Sequence, residues 1–367
     1  MTKPMPSPSI MRGAGRALLL VATLAALSAC NSLGQLGQAP ASTLPPPERL
    51  GTGANVIGVL AAGEPDNLAG GAPDSIFQAA RLGATSIVNS SMALELRAVG
   101  RNGARDAATQ LATTGARIVI LPPDLKAGGQ AAGPLADRGI PAISVARMSD
   151  PARHLFGAGF DPIEEASALT GELTRRGIAK VAVVGLANEV SQNWAHAVGG
   201  AFARQGITAT LVDGSTPDAM LQGLGSTADL GAVVFAMAPE AAADLASALR
   251  ADPARVKLLL VGSTEWALAG GLPPALNGAI YAVPEGNGLQ KFAGRFTATY
   301  SQRPTLASAL VYDLIIMAAA LQSIAPEAPY TDAALAGPDG FLGFTGPFAF
   351  GVAGLATTRS YTIVVAK

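Results

Sequence analysis

Few side chains in this 367-residue chain are of a type that does chemistry, and their spacing excludes most reactions. The two histidines, His154 and His196, have no second His, Cys or carboxylate pair at a metal-ligand spacing. His154 follows "DPAR" in a loop and His196 shares a helical stretch with Trp194, so both read as surface or packing residues. No G-x-S-x-G elbow and no Walker loop occurs. "GTGANVIG" has two close glycines but precedes its strand, whereas a dinucleotide fingerprint follows one. Glu164 and Glu165 open a helix, where negative charge suits the dipole, and read as helix-start charges rather than a catalytic pair. The expectation is a non-enzymatic protein with no cofactor and no metal.

The one cysteine, Cys30 in "LSACN", follows a basic leader with Lys3, Arg12 and Arg16 and the apolar run "ALLLVATLAALSA". That order predicts a secretory signal over residues 1–29, too short in its apolar part to span a bilayer permanently. Leu27-Ser28-Ala29 before Cys30 resembles the bacterial lipobox, which implies lipidation of Cys30 as the first mature residue. A lone thiol has no internal disulfide partner, and several acyl chains on it would tether the protein durably. Asn31 in place of Asp favours the outer membrane, so the expected location is the periplasm, anchored by lipid alone. Residues 30–53, rich in Gly, Pro, Ser and Gln without apolar period, read as a flexible spacer.

Without the leader, 22 Lys and Arg face 26 Asp and Glu, a charge of about −4 with no basic stripe. Nucleic acid is excluded on that ground, because phosphate contacts need clustered cations. The stretch 305–325 is apolar with Asp313 as its single charge, and reads as a helix buried between layers rather than a membrane span.

These few residues need elements to position them. From residue 56, short β-rich runs alternate with helical stretches: "VIGVLA", "ELRAVG", "RIVILP" and "AISVA", and then "KVAVVG", "TATLVD", "GAVVFAM", "KLLLVG" and "GAIYAV". Nearly continuous apolar strands joined by helical crossovers predict parallel sheets covered on both faces. The repeated rhythm predicts an α/β protein of two Rossmann-like lobes joined by a multi-strand hinge. Lobe 1 comprises 54–147 plus about 305–340, and lobe 2 comprises 148–304 plus about 341–367. Ligands in such folds sit beyond the carboxyl ends of the strands, so the loops after residues 61, 122, 146, 185, 237 and 262 are the candidates. Those loops contain Asp124, Arg147, Ser149, Asn193, Trp194 and Glu265. Ser149 offers a hydroxyl, Glu265 an acceptor for an ammonium, and Trp194 or Trp266 a cover for the cleft. Ser149, Ser191 and Thr264 also fit as helix caps, and the tryptophans as core.

Residues 54–367 resemble the type I periplasmic binding proteins of the leucine/isoleucine/valine-binding class. The resemblance lies in "GARIVILPPDLKAGGQAAGPLADRGIPAIS", "RRGIAKVAVVG…AFARQGITATLVDGS" and "FTATYSQRPTLASALVYDLIIMAAAL". "GPDGFLGFTGPFAFGVAGLATTRSYTIVV" is similar to the closing pattern of the penicillin-binding-protein activator branch. The resemblance implies hinge closure over a small polar solute, such as an amino acid, and delivery to an ABC permease. The activator branch implies instead contact with a peptidoglycan synthase. The resemblance to the amino-acid receptors also implies that Ser149 and Glu265 match ligand positions. Two expected aromatics are replaced, by "NEVSQNW" and by Met237-Ala238. Where a ligand carboxylate would be held, Pro122 and Pro123 have no N–H and Asp124 is negative.

Overall fold

The computed structural model describes residues 46–62, 73–87, 91–100, 103–148, 152–225, 229–351, 353–356 and 359–367. The expected signal segment, Cys30 and Ser149 lie outside the described residues.

Two six-stranded sheets carry the fold. The first contains β1 (Glu48–Leu50), β2 (Asn55–Ala62), β3 (Met92–Val99), β4 (Ala116–Leu121), β5 (Ala142–Ser144) and β6 (Leu155–Gly157), in the order β1-β3-β2-β4-β5-β6. Helices α1 (Pro73–Ser86), α2 (Ala104–Thr113) and α3 (Leu125–Ala136) connect its strands. The second sheet begins with β7 (Lys180–Leu186), β8 (Thr208–Gly214), β9 (Ala232–Ala236), β10 (Leu259–Gly262) and β11 (Ile280–Pro284). Its helices are α4 (Pro162–Arg175), which leads in, α5 (Glu189–Arg204), α6 (Pro217–Leu224) and α7 (Pro239–Ala251). Then come α8 (Gly288–Tyr300), α9 (Leu306–Ile324), α10 (Asp332–Leu335), a hairpin of β12 (Phe341–Gly343) and β13 (Gly346–Phe348), and β14 (Tyr361–Val365). The second sheet is ordered β14-β11-β10-β9-β7-β8. In each sheet five parallel strands run in one order, the second beside the first and the third on its other side. One antiparallel strand closes each, β1 on β3 and β14 on β11. The interior strands are buried on both faces, which is why "VIGVL" and "AVVFA" lack alternation.

This is the expected α/β architecture of two lobes. One apolar core runs through both, from Ile57, Ile118 and Phe156 to Val184, Phe235 and Phe292. Helix α9 is long and apolar enough to cross a membrane, yet 72% of its most apolar window is buried in protein. It lies on α1 so closely that a Cβ on Gly83 would come within 3.1 Å of Ile315 Cγ2. Asp313 has a specific task there. Its carboxylate accepts from Phe344 N at 2.9 Å and Thr345 N at 2.7 Å, which fixes the hairpin turn, while burial raises its pKa.

Three expected boundaries shift. The spacer is not free to residue 53: β1 pairs with β3, and Glu48 is held by Arg81 with Nη2–Oε2 at 2.6 Å. The first sheet continues beyond residue 147, because β6 pairs with β5 in parallel. Residues near 350 pack on that same edge, with Phe350 on Phe156 at 5.2 Å and Leu355 bridged to Gly157. The chain thus leaves the first sheet after Gly157 and rejoins the second at β14. Arg359 ties these two passages together, donating from Nη2 to Ala158 O at 2.8 Å and stacking on Phe160 at 4.5 Å.

Candidate functional site

A cavity of about 770 Å³ opens where the carboxyl ends of the two sheets meet. Five of the six loops named from the sequence reach it, through Ala62, Asp124, Arg147, Met237 and Glu265 among others, and after β7 the first turns of α5 reach it instead, at Asn193 and Trp194. Val99, Phe160 and the start of α9 at Leu306, Ala307 and Leu310 also line it. Of the six expected ligand residues, the structure brings five to one cavity: Asp124, Arg147, Asn193, Trp194 and Glu265.

The wall contributed by the first lobe holds two of its charged groups, Asp124 and Arg147, in contacts of its own. Asp124 is the N-cap of α3, and its Oδ1 accepts from Ala127 N at 2.6 Å. Free N–H groups at a helix start would suit a carboxylate, but here the side chain already occupies that of Ala127 and places its own negative charge there. The next residue, Leu125, is 63% exposed and turns the mouth of this wall apolar. Arg147 Nε pairs with Asp161 Oδ1 at 2.8 Å, and the same Oδ1 accepts from Ile163 N at 2.9 Å to cap α4.

The wall contributed by the second lobe differs. Ser191 is fully buried, accepting from Leu186 N at 2.8 Å and donating to Ala236 O at 2.6 Å. It ties the ends of β7 and β9 together, and Asn188 rather than Ser191 caps α5. Asn193 is exposed at the rim and Trp194 is half-buried in the lining. The other tryptophan does not reach the cavity. Trp266 is 1% exposed, stacked on Phe235 at 5.9 Å, with its Nε1 donating to Met237 O at 3.0 Å. Gly262 makes room for it: a Cβ there would sit 2.2 Å from Trp266 Cδ2.

Two acids stand at this second wall. Glu165 is buried, and its Oε1 accepts from Thr264 N at 2.6 Å. Burial pushes its carboxyl up to about 8, against the lowering effect of that N–H, and the nearby Glu265 adds to the rise. Glu265 is half-buried in the lining; desolvation pushes it up to about 7, partly offset by Arg303 and reinforced by Glu240. Arg303 itself is bound to Glu240, with Nη1–Oε2 at 2.7 Å. Thr264 Oγ1 is buried close to Glu165 but has no aligned hydrogen-bond partner. Thr264 is therefore no helix cap.

Glu165 corrects the reading of Glu164-Glu165 as helix-start charges. Both sit in the first turn of α4, but Glu165 shares its buried face with Ala166, Leu169 and Leu173. A carboxylate one residue before, and four residues before, apolar positions of an amphipathic helix is the signal that finds it.

A second hollow of about 520 Å³ lies at the opposite end of the first sheet. Its polar groups are matched within the protein: His154 Nδ1 with Asp332 Oδ1 at 2.9 Å, Arg117 with Asn55 and the Glu327 carbonyl, and the Tyr330 hydroxyl with the Ala318 carbonyl. His154, with φ of 58°, is held there in a left-handed turn. His196 only meets the carbonyl of Gln192 on its own helix. Among the described residues, no three His, Cys, Asp or Glu side chains group to hold a metal.

No family model matches the chain, and no curated protein matches it in sequence. In fold it is similar to several solved structures. One is a putative branched-chain amino acid ABC transporter protein from Rhodospirillum rubrum, 21% identical, with a TM-score of 0.61 over 85% of this chain and 97% of that one. Another is the branched-chain amino acid transporter substrate-binding protein LivJ from Streptococcus pneumoniae in complex with isoleucine, 16% identical, TM-score 0.63, covering 85% and 96%. A third is a solute-binding protein of an ABC transporter from Rhodopseudomonas palustris in complex with 3,4-dihydroxybenzoic acid, 14% identical, TM-score 0.63, covering 85% and 92%. The two-lobed fold is that of the type I periplasmic binding proteins.

Proposed function

We propose that this protein is a non-enzymatic, solute-binding component of an ABC-type uptake system, taking an amino acid or similar small polar solute. The observation that carries this reading is the 770 Å³ cavity lined from both lobes at the carboxyl ends of their strands. A solute touching both walls stabilises a closed arrangement of the lobes, and an ABC permease would read that arrangement. The fold neighbours support the reading, since two of them are ABC transporter solute-binding proteins in complex with isoleucine and with 3,4-dihydroxybenzoic acid. The lobes we assign are about 46–157 with 306–356, and 162–300 with 359–367. The leader and Cys30 in "LSACN" support a periplasmic protein tethered by lipid. Cys30→Ser then moves the protein from the membrane to the soluble periplasmic fraction; if it stays with membranes, the anchor is elsewhere.

A thermal-shift screen of amino acids and small polar solutes tests the main reading. A cognate solute at about a hundred times its Kd adds about 2.7 kcal/mol to the folded state, a rise of several degrees in Tm. Silence across the screen, with a peptidoglycan synthase captured by the full-length protein, would replace the uptake role by the synthase-activating one.

A further inference from the structure

The cavity carries a charge pattern that narrows its ligand, given the solute-binding reading on which this step rests. The first wall is a poor seat for a ligand carboxylate, with Lys126 as its one cation without an ion pair among the described residues. Pro122 and Pro123 offer no N–H, Ala127 N is taken by Asp124, and Asp124 would repel a second anion. Of the two cations in the lining, Arg147 is held by Asp161, and Lys126 is exposed in the first turn of α3, two residues after Asp124. The second wall is short of positive charge. Glu165 and Glu265 both line the cavity, and the one arginine near Glu265 is spent on Glu240. Buried carboxylates are ordinarily paired with a cation, and Glu165, though it accepts from Thr264 N, has none against it among the described residues. Thr264 Oγ1, 1% exposed and in the same lining, also lacks an aligned partner. Trp194 and the exposed Leu125 add an aromatic and an aliphatic surface nearby.

We infer that the cavity selects a small organic amine without a carboxylate, its ammonium held by Glu265 and Glu165 with the Thr264 hydroxyl, and its apolar body against Trp194 and Leu125. An ammonium supplies the counter-charge this wall lacks, and it favours an aromatic face. Binding then depends on pH in a stated direction. The groups facing Glu265 are Arg303 and Glu240; those facing Glu165 are Thr264, Trp194, Glu265 and Tyr361. With Glu265 pushed up to about 7, the free protein holds a proton that an arriving ammonium displaces. An aliphatic amine, with a pKa of about 10, stays charged throughout, so affinity rises from pH 6 to pH 8 by about tenfold per proton released.

Calorimetry on the full mature protein tests this with matched pairs: isoamylamine against leucine, and 2-phenylethylamine against phenylalanine, each at pH 6 and pH 8. The expected result is that each amine binds at least tenfold more tightly than its amino acid, and more tightly at pH 8. Glu265→Gln should weaken the amine at least tenfold and flatten the pH dependence. Should that variant not fold, Asp124→Asn, which keeps a capping side chain, should narrow the gap between leucine and isoamylamine. Leucine or phenylalanine binding as tightly as its amine, or an amine affinity indifferent to pH, overturns the inference and leaves the solute-binding reading standing. If neither the amines nor a broader solute screen gives binding, both fall together.

Discussion

The two walls of the cavity are built from the same supersecondary units, yet they treat their polar groups in opposite ways. On the first, two of the three charged side chains in the lining have partners, Asp124 with Ala127 N and Arg147 with Asp161, and Lys126 is left to solvent. On the second, Glu165 has polar neighbours in Thr264 and Trp194 but no cation against it, and Glu265 has only Arg303, already engaged by Glu240. A group that is satisfied at home contributes shape and little else, because trading one hydrogen bond for another yields little net energy. A buried acid without a counter-charge contributes recognition, at the expense of the empty protein's stability. On the proposed reading, recognition and instability therefore both concentrate on the second wall.

The strongest way to break that contrast is to remove what stands behind the second wall. Trp266 fills the space between Phe235 and Tyr281 and fixes Met237 at the cavity edge through its Nε1. Trp266→Ala should cost about 3–5 kcal/mol in chemical unfolding, among the largest single losses available in this chain. It should also weaken solute binding more than any truncation on the first wall. A loss below about 1 kcal/mol would mean that the second wall does not depend on this packing.

The next effect sharpens the contrast through pH. Glu165 sits near 4.5 when unfolded and is pushed up to about 8 by burial, so the native state keeps a proton that the unfolded chain releases. Its contribution to stability is thus unfavourable, absent below about pH 4 and growing as pH rises through the interval to about 8. At one pKa unit per 1.36 kcal/mol, the penalty at pH 8 is on the order of 4 kcal/mol at most. Glu165→Gln should match the wild type in urea midpoint at pH 4 and exceed it at pH 8. Equal midpoints at both pH values would show that Glu165 is not desolvated in the native protein.

How much of this was legible beforehand follows from the range of each interaction. The strands and long helices depend on local period, and "VIGVLA", "KVAVVG" and 305–323 became β2, β7 and α9. The loops that meet at the cavity were legible too, since ligand position in this topology follows from strand direction. What was hidden rests on partners far apart in sequence. Glu48, placed in a spacer, is fixed by Arg81, and β6 was missed because three residues of strand have no period to show. Trp194 and Trp266 were indistinguishable in sequence; only the missing Cβ of Gly262 decides that Trp266 goes inside. Glu165 was overlooked because a glutamate in a first helical turn usually answers to the dipole. Here Thr264, 99 residues later, closes over it.

The smallest effect belongs to the first wall, where the self-capped helix makes a separable test. Asp124→Ala removes the acceptor for Ala127 N and should cost about 1 kcal/mol, the ordinary loss of an N-cap. Asp124→Asn should restore most of that, because an amide oxygen caps as well as a carboxylate does. If stability is all that Asp124 governs, Ala and Asn should bind every solute alike. If its charge also guards the cavity against anions, both variants should gain affinity for carboxylate-bearing solutes together, whatever their stabilities. The two measurements divide along different lines, stability by hydrogen bonding and selectivity by charge, so one pair of substitutions decides whether the first wall is scaffold alone.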